Sequence, residues 1–223
     1  MSEILKTLRN LVISQTAPAG SVWFRDICER VADTEARSLL LSAFAGCGRR
    51  LGAEELRVPA KALPPEFIRR AWPLHEAGRV VLLLCHANTV MAGQLRPFLD
   101  DLYYRGSLHE REAVLRALPY VPDPVSMVAL AVDACRSNAI SEFSAIALHN
   151  PFPALYFNDV AYFQMVLKAL FLEQPIRNTI GLKQRHNSEL DRMVRGLVSE
   201  RKAAGRSISP DIEFLLQVGN ETV

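Results

Sequence analysis

From Ser107 onward, signals that start or stop a helix follow one another at short intervals, which limits the chain to short helices joined by tight turns. The run "SLHE" is a capping box, with Ser107 as N-cap and Glu110 placed to reach back to it. Asp123-Pro124 restarts a helix, because an aspartate caps and a proline costs no hydrogen bond in the first turn. That helix ends near Asn138. "ISEFSAIALHN" forms the next, stopped at Pro151, where the two prolines of "HNPFP" predict a stiff extended turn. Asn158 caps a helix reaching Leu172, Pro175 begins a short segment, and Asn187 caps a helix over 188–204 that Gly205 ends. Ser209-Pro210 opens the last one.

The first half is helical too. Ile4, Leu5, Leu8, Leu11 and Val12 form one stripe. A second helix spans about 21–31, and Asp33 caps a third. Residues 47–63 are the loosest stretch, and Pro64-Pro65 opens "EFIRRAW". "LHEAGRVVLLLCHA" (74–87) is followed by a helix around 92–105 that must accommodate Pro97. No apolar–polar alternation and no Asn-Gly or Asp-Gly hairpin is found. The expected class is all-α: a single domain over 1–223, with roughly ten helices in stacked antiparallel hairpins, HEAT/armadillo-like or solenoid-like. The expected pairs are 108–119 with 124–137 and 140–149 with 158–172.

Composition removes several function classes. Lys plus Arg is 26 against 24 Asp plus Glu, a net charge of +2, too balanced for a nucleic-acid partner. The longest apolar run, "VVLLLC", is far too short to span a bilayer, and "MSEILKTLRNLVISQ" is not a signal peptide, so a cytoplasmic protein that is not integral to a membrane is expected. Cys28, Cys47, Cys85 and Cys135 are scattered without a C-x-x-C, as reduced buried thiols would be. The histidines lack metal-ligand spacing, and His109 with Glu112 makes only two ligands. Neither a glycine-rich phosphate loop nor a nucleophile elbow is present. No metal and no cofactor is expected from these patterns, and they single out no catalytic residue.

The stretch "NDVAYFQMVLKALFL" (158–172) poses the functional question. Between Val160 and Leu172 only Gln164 and Lys168 are strongly polar, and four residues apart they share a face. Two neighbouring helices repeat the pattern, with Ser126 and Asp133 seven apart, then Glu142 and His149. A helix apolar on nearly every side is normally buried, and a buried ammonium requires a partner. Three readings follow: the rows pair as structural core ion pairs, they line a pocket, or Lys168 reaches the surface along its stem. Asn150, held before Pro151, is positioned for a cavity wall or simply for a helix stop.

The order of motifs in the second half resembles the EboA family. The matching pieces are "ALPYVPDP", "CRSN", "SAIALHNPFP", "QMVLKALF", "IGL" followed by Arg185 and Asn187, and "ERKAAGR" before a Ser-Pro-Asp helix start. They cover about residues 105–215. The chain departs from the family pattern at Tyr162-Phe163, Lys183 and Lys202, as a divergent member would. The resemblance implies a metabolite-traffic factor from a bacterial and algal gene cluster of secondary metabolism, associated with delivering a precursor of a pigment-type product toward the periplasm. It implies a small metabolite or other proteins of the same cluster as partners, and no cofactor.

The candidate pocket or binding residues are Asp133, Arg136, Asn138, Glu142, His149, Asn150, Asn158, Gln164, Lys168, Arg185, Asn187 and Arg201. The leading expectation is a non-enzymatic factor that binds a small metabolite or a pathway enzyme. The alternatives are an enzyme with a polar pocket around Lys168, His149 and Asp133, and a HEAT-like protein adaptor. Thiol titration under denaturing, non-reducing conditions should find four free cysteines; two or fewer would overturn the reading of a reduced compartment.

Overall fold

The computed structural model describes residues 2–33, 35–91 and 93–221. Thr34 and Ala92, both in stretches expected to be helical, lie outside the described residues. Fourteen α-helices and no strand occur among the described residues, and the one strand-like feature is an isolated antiparallel bridge between Glu55 and Pro73. The chain is all-α. Its contacts divide into two compact units, Met1–Ala131 and Val132–Val223.

The first unit contains α1 (Glu3–Gln15), α2 (Pro18–Arg30), α3 (Arg37–Leu51), α4 (Pro65–Ile68), α5 (Leu74–Ala87), α6 (Leu95–Arg105) and α7 (Leu108–Ala117). Helix α8 (Val128–Ala134) begins in it. Helix α5 is central and packs against α1, α2, α3 and α7. Only His75 in it escapes burial, because Val80–Cys85 is apolar on every face. Each of those buried aliphatic side chains contributes on the order of 2 kcal/mol. The capping box forms as expected: the Ser107 N–H donates to Glu110 Oε2 at 2.7 Å, and its hydroxyl donates to the same oxygen at 2.8 Å. Pro97 sits in the first turn of α6, where it removes no helical hydrogen bond.

The second unit contains α9 (Ile140–Ala147), α10 (Phe152–Tyr156), α11 (Asp159–Phe171), α12 (Leu182–Arg185), α13 (Ser188–Ala203) and α14 (Pro210–Glu221). Helix α11 packs against α9, α13 and the 3₁₀ turn Ile176–Asn178, while α14 packs on α13. Asn158 and Asn187 cap as expected, accepting from Ala161 N at 2.9 Å and from both Glu189 N and Leu190 N at 3.0 Å.

Several local expectations are corrected. Residues 47–51 continue α3 rather than belonging to a loose segment. Asp33 accepts from Glu35 N at 3.0 Å, which caps a turn, and the helix begins only at Arg37. Asp123 makes no side-chain cap; a 3₁₀ turn over Val125–Met127 leads into α8. The extended turn expected at "HNPFP" is a helix start. Pro151 has φ −75° and ψ −13°, and with Pro153 it occupies the opening of α10, where prolines forfeit no intrahelical bond.

Close packing of α2 on α3 depends on Gly20, where a β-carbon would overlap the carbonyl oxygen of Arg50 and the methyl of Thr16. Gly20→Ala must push the two helices apart, so it should destabilise the protein by about 1–3 kcal/mol. Urea denaturation of the two proteins measures this, and an unchanged midpoint would contradict the packing described.

Candidate functional site

The wet side of α11 is the face of Val160, Gln164, Lys168 and Phe171. Val160 and Phe171 are 65% and 61% exposed, Gln164 is exposed, and Lys168 is half-buried. The opposite face, with Tyr162, Met165, Val166 and Ala169, is buried. The polar pair therefore lies at the solvent side of the helix, not within a surface enclosed all round.

Lys168 is nevertheless tied down. Its Nζ donates to Cys135 O at 2.7 Å and to Ser137 O at 2.8 Å, and stands 5.0 Å from the centroid of the Phe143 ring. These carbonyls follow the end of α8, where intrahelical donors have run out. Lys168 thus serves as a C-terminal cap supplied from another helix, in a position where a cation also suits the helix dipole. An ammonium has three N–H groups, and the two carbonyls use two of them.

Beside Lys168 opens a groove of about 340 Å³. Val132, Phe157 and Met165 give it apolar walls, and Arg136, Gln164 and Lys168 give it polar ones. Cys135 is also at the groove. Burial pushes its thiol pKa up to about 12 against the pull of Lys168 and Arg136, so the sulfur stays protonated and is a poor nucleophile. Asp133 pairs with Arg136 at 3.7 Å in an exposed i,i+3 bridge. Glu142 is buried and accepts at 2.6 Å from the hydroxyl of Ser137, the residue whose carbonyl Lys168 holds.

A family model described as "Metabolite traffic protein EboA" matches residues 4–217. The chain belongs to the EboA family. The match extends the membership from the motif-rich second half to the first hundred residues as well. Comparison with curated proteins and with solved structures returns no match. Among the described residues of this EboA chain, no helix is long and apolar enough to cross a membrane, and no group of three or more His, Cys, Asp or Glu is placed to hold a metal ion.

Many of the motif residues hold backbone. Asn150 is buried, donating to Ala145 O at 2.9 Å and accepting from Phe152 N at 3.0 Å, so it closes α9 and opens α10. His149 adopts a positive φ of 52°, and its N–H donates to Asn178 O at 2.8 Å. Arg185 donates to Pro153 O, Ala154 O and Phe157 O, gathering the carbonyls at the end of α10, and to Asp159 Oδ1 at 2.6 Å. Its guanidinium lies over the ring of Tyr162, whose hydroxyl donates to Ile180 O at 2.7 Å. Gly181 of "IGL" has φ +87°, and a β-carbon there would meet Ala154. Arg201 donates to Ser207 O at 2.9 Å and pairs with Glu173, beside a separate groove of about 440 Å³. Asn138 is exposed, and Asn158 and Asn187 are the helix caps described above. Of the twelve candidates, Arg136, Gln164 and Lys168 meet at one groove; the others are distributed over helix ends.

The helix that is buried all round is α5, and it carries the polar row missed in the sequence. Glu76, Arg79 and His86 are all buried. Glu76 is bound by Arg70 and approached by Arg116 at 3.7 Å. Burial, then the neighbouring Arg70, brings the Arg116 pKa down to about 9, with Glu76 and Glu112 acting in the opposite sense. Arg70 also lies 4.4 Å from the Trp72 ring, which stacks on Phe67 at 5.1 Å. Arg79 donates to Phe44 O at 2.9 Å and to His75 Nδ1 at 2.8 Å. Since arginine only donates, His75 accepts there; burial first, then Arg79, lowers its pKa. Arg79 and His86 stand seven apart on an otherwise apolar helix, the same spacing that draws attention to the later helices.

Lys168→Met should strand the part-buried carbonyls of Cys135 and Ser137, without isolating a carboxylate. The expected loss is about 1–3 kcal/mol in urea melts, the cost of unmade hydrogen bonds, rather than the larger penalty of an unpaired buried charge. A stability unchanged within error would contradict the capping role.

Proposed function

We propose that this EboA chain is a cytosolic, non-enzymatic factor that holds a small metabolite in the Lys168 groove during its traffic. The observation that carries the reading is the composition of that groove: apolar side chains from Val132, Phe157, Ala161 and Met165, with two cations, Arg136 and Lys168, and the amide of Gln164. Its volume of about 340 Å³ lies within the range that encloses small ligands. A largely apolar molecule with an acidic or hydrogen-bond-accepting group fits such a lining. The Cys135 thiol, held protonated, offers no activated nucleophile, which supports binding over turnover.

A second reading is favoured by Val160 and Phe171, large apolar side chains exposed on the same face of α11. Such residues suit a protein adaptor, and the solenoid-like stacking of hairpins expected from the sequence belongs to that reading.

Native mass spectrometry separates the two. The wild type and Ala161→Trp, which fills the groove from its wall, are equilibrated with an organic-soluble extract of the source cells and exchanged into volatile buffer. The metabolite reading expects an added small-molecule mass on the wild type and none on Ala161→Trp. A wild type that retains no mass, or equal retention by both proteins, would count against it.

A further inference from the structure

The first unit contains a groove that the reading above does not use, and we propose that it is a second ligand site, for a small neutral apolar molecule bearing a hydroxyl or N–H donor. The groove has a volume of about 450 Å³ and lies where the last turn of α5 meets the start of α6. Val90, Met91, Pro97 and Phe98 supply apolar walls. His86, only 2% exposed, also lines it.

The tautomer of His86 sets the chemistry. Its Nδ1 lies 3.0 Å from Val31 O. A carbonyl oxygen can only accept, so Nδ1 carries the proton, and Nε2 of the neutral ring is an acceptor. Nε2 has no partner among the described residues, yet it is not one of the fully enclosed unpartnered atoms, so it opens to the groove that His86 lines. A ligand that satisfies it must donate.

The other charged group in the groove is already committed. Arg37 pairs with Asp101 Oδ2 at 2.5 Å, and its guanidinium lies 5.6 Å from the Phe98 centroid. It offers a flat stacking surface whose cation already has a carboxylate partner, one that Arg105 shares, so the ligand is not required to supply a charge. The Phe98 and His86 rings meet edge to face at 5.1 Å, adding a second flat wall.

Backbone hydrogen bonds hold the end of α5 beside the groove. Thr89 donates to His86 O from both its N–H and its hydroxyl, at 2.9 and 2.8 Å, and Asn88 Nδ2 donates to Leu84 O at 2.6 Å. Gln94 N donates to Met91 O at 3.0 Å, and Gly93 takes the positive φ of +87° that this turn requires.

The test uses a matched pair of probes, 1-naphthol and 1-methylnaphthalene, of similar size and differing in the donor. Binding is followed by probe fluorescence at pH 7.5. The wild type should bind 1-naphthol about fivefold more tightly than 1-methylnaphthalene, as one net hydrogen bond predicts. His86→Phe should bring the two affinities together by weakening 1-naphthol. Met91→Arg alters an exposed residue at the groove wall and should weaken both probes while leaving the melting temperature unchanged. If His86→Phe does not fold, the wild-type comparison and Met91→Arg still decide. Equal affinities in the wild type, binding of neither probe, or wild-type binding by Met91→Arg would each overturn the proposal.

Discussion

The end of a helix leaves carbonyl groups without donors, and a chain made of many short helices must satisfy that requirement repeatedly. In the second unit, long cationic side chains do it. Lys168 covers the turn after α8, Arg185 covers the end of α10, and Arg201 holds the segment leading into α14. Each reaches from a different helix, so each cap is also a tertiary link. Removing Lys168 or Arg185 leaves part-buried acceptors unpaired, which costs more than the bond itself contributes when made. Polar residues that look like a dispersed binding set in the sequence thereby fix the ends of the helices around α11.

The first unit meets its constraint differently. Its central helix is enclosed on every side, so polar groups on it must find partners inside. Arg79 ties α5 to the backbone of α3 through Phe44 O, His86 ties it to Val31, and Glu76 meets Arg70 and Arg116. Such an arrangement is weak evidence of high stability, because desolvating the charges offsets their attraction. It is strong in register: a helix tied through Arg79 to Phe44 O, through His86 to Val31 O and through Glu76 to Arg70 cannot slide or rotate without breaking several contacts. The same fixity orients the His86 ring toward its groove.

Much of the helical pattern was legible because caps and prolines act locally. Ser107 with Glu110, Asn158, Asn187 and the helix opened by Pro210 need only their own neighbours to form. Tertiary position was not legible to the same degree. Periodicity says which residues share a face, but not which helix occupies the middle, so α11 read as enclosed although Val160, Gln164 and Phe171 face solvent. The enclosed helix is α5, and the spacing of Glu76, Arg79 and His86 within its sequence does not reveal that they are buried. At Pro151 and Pro153 the residue types fit both a turn and a helix start, and only the packing of Phe152 in the core selects the helix. Three of the candidate residues, Arg136, Gln164 and Lys168, share a groove because α8 and α11 bring them there, a fact of placement that no spacing within one helix contains.

The stack of Trp72 on Phe67 has an optical consequence. The chain has two tryptophans, Trp23 and Trp72, and both belong to the first unit. Trp72 is buried against a ring and a guanidinium, whereas Trp23 is partly open to solvent beside Arg50. Intrinsic indole emission therefore reports on Met1–Ala131 alone, and the red shift on denaturation comes chiefly from Trp72 leaving its enclosure. The helices around Lys168 contain tyrosine and phenylalanine but no indole, so unfolding of the second unit leaves no direct trace in that signal.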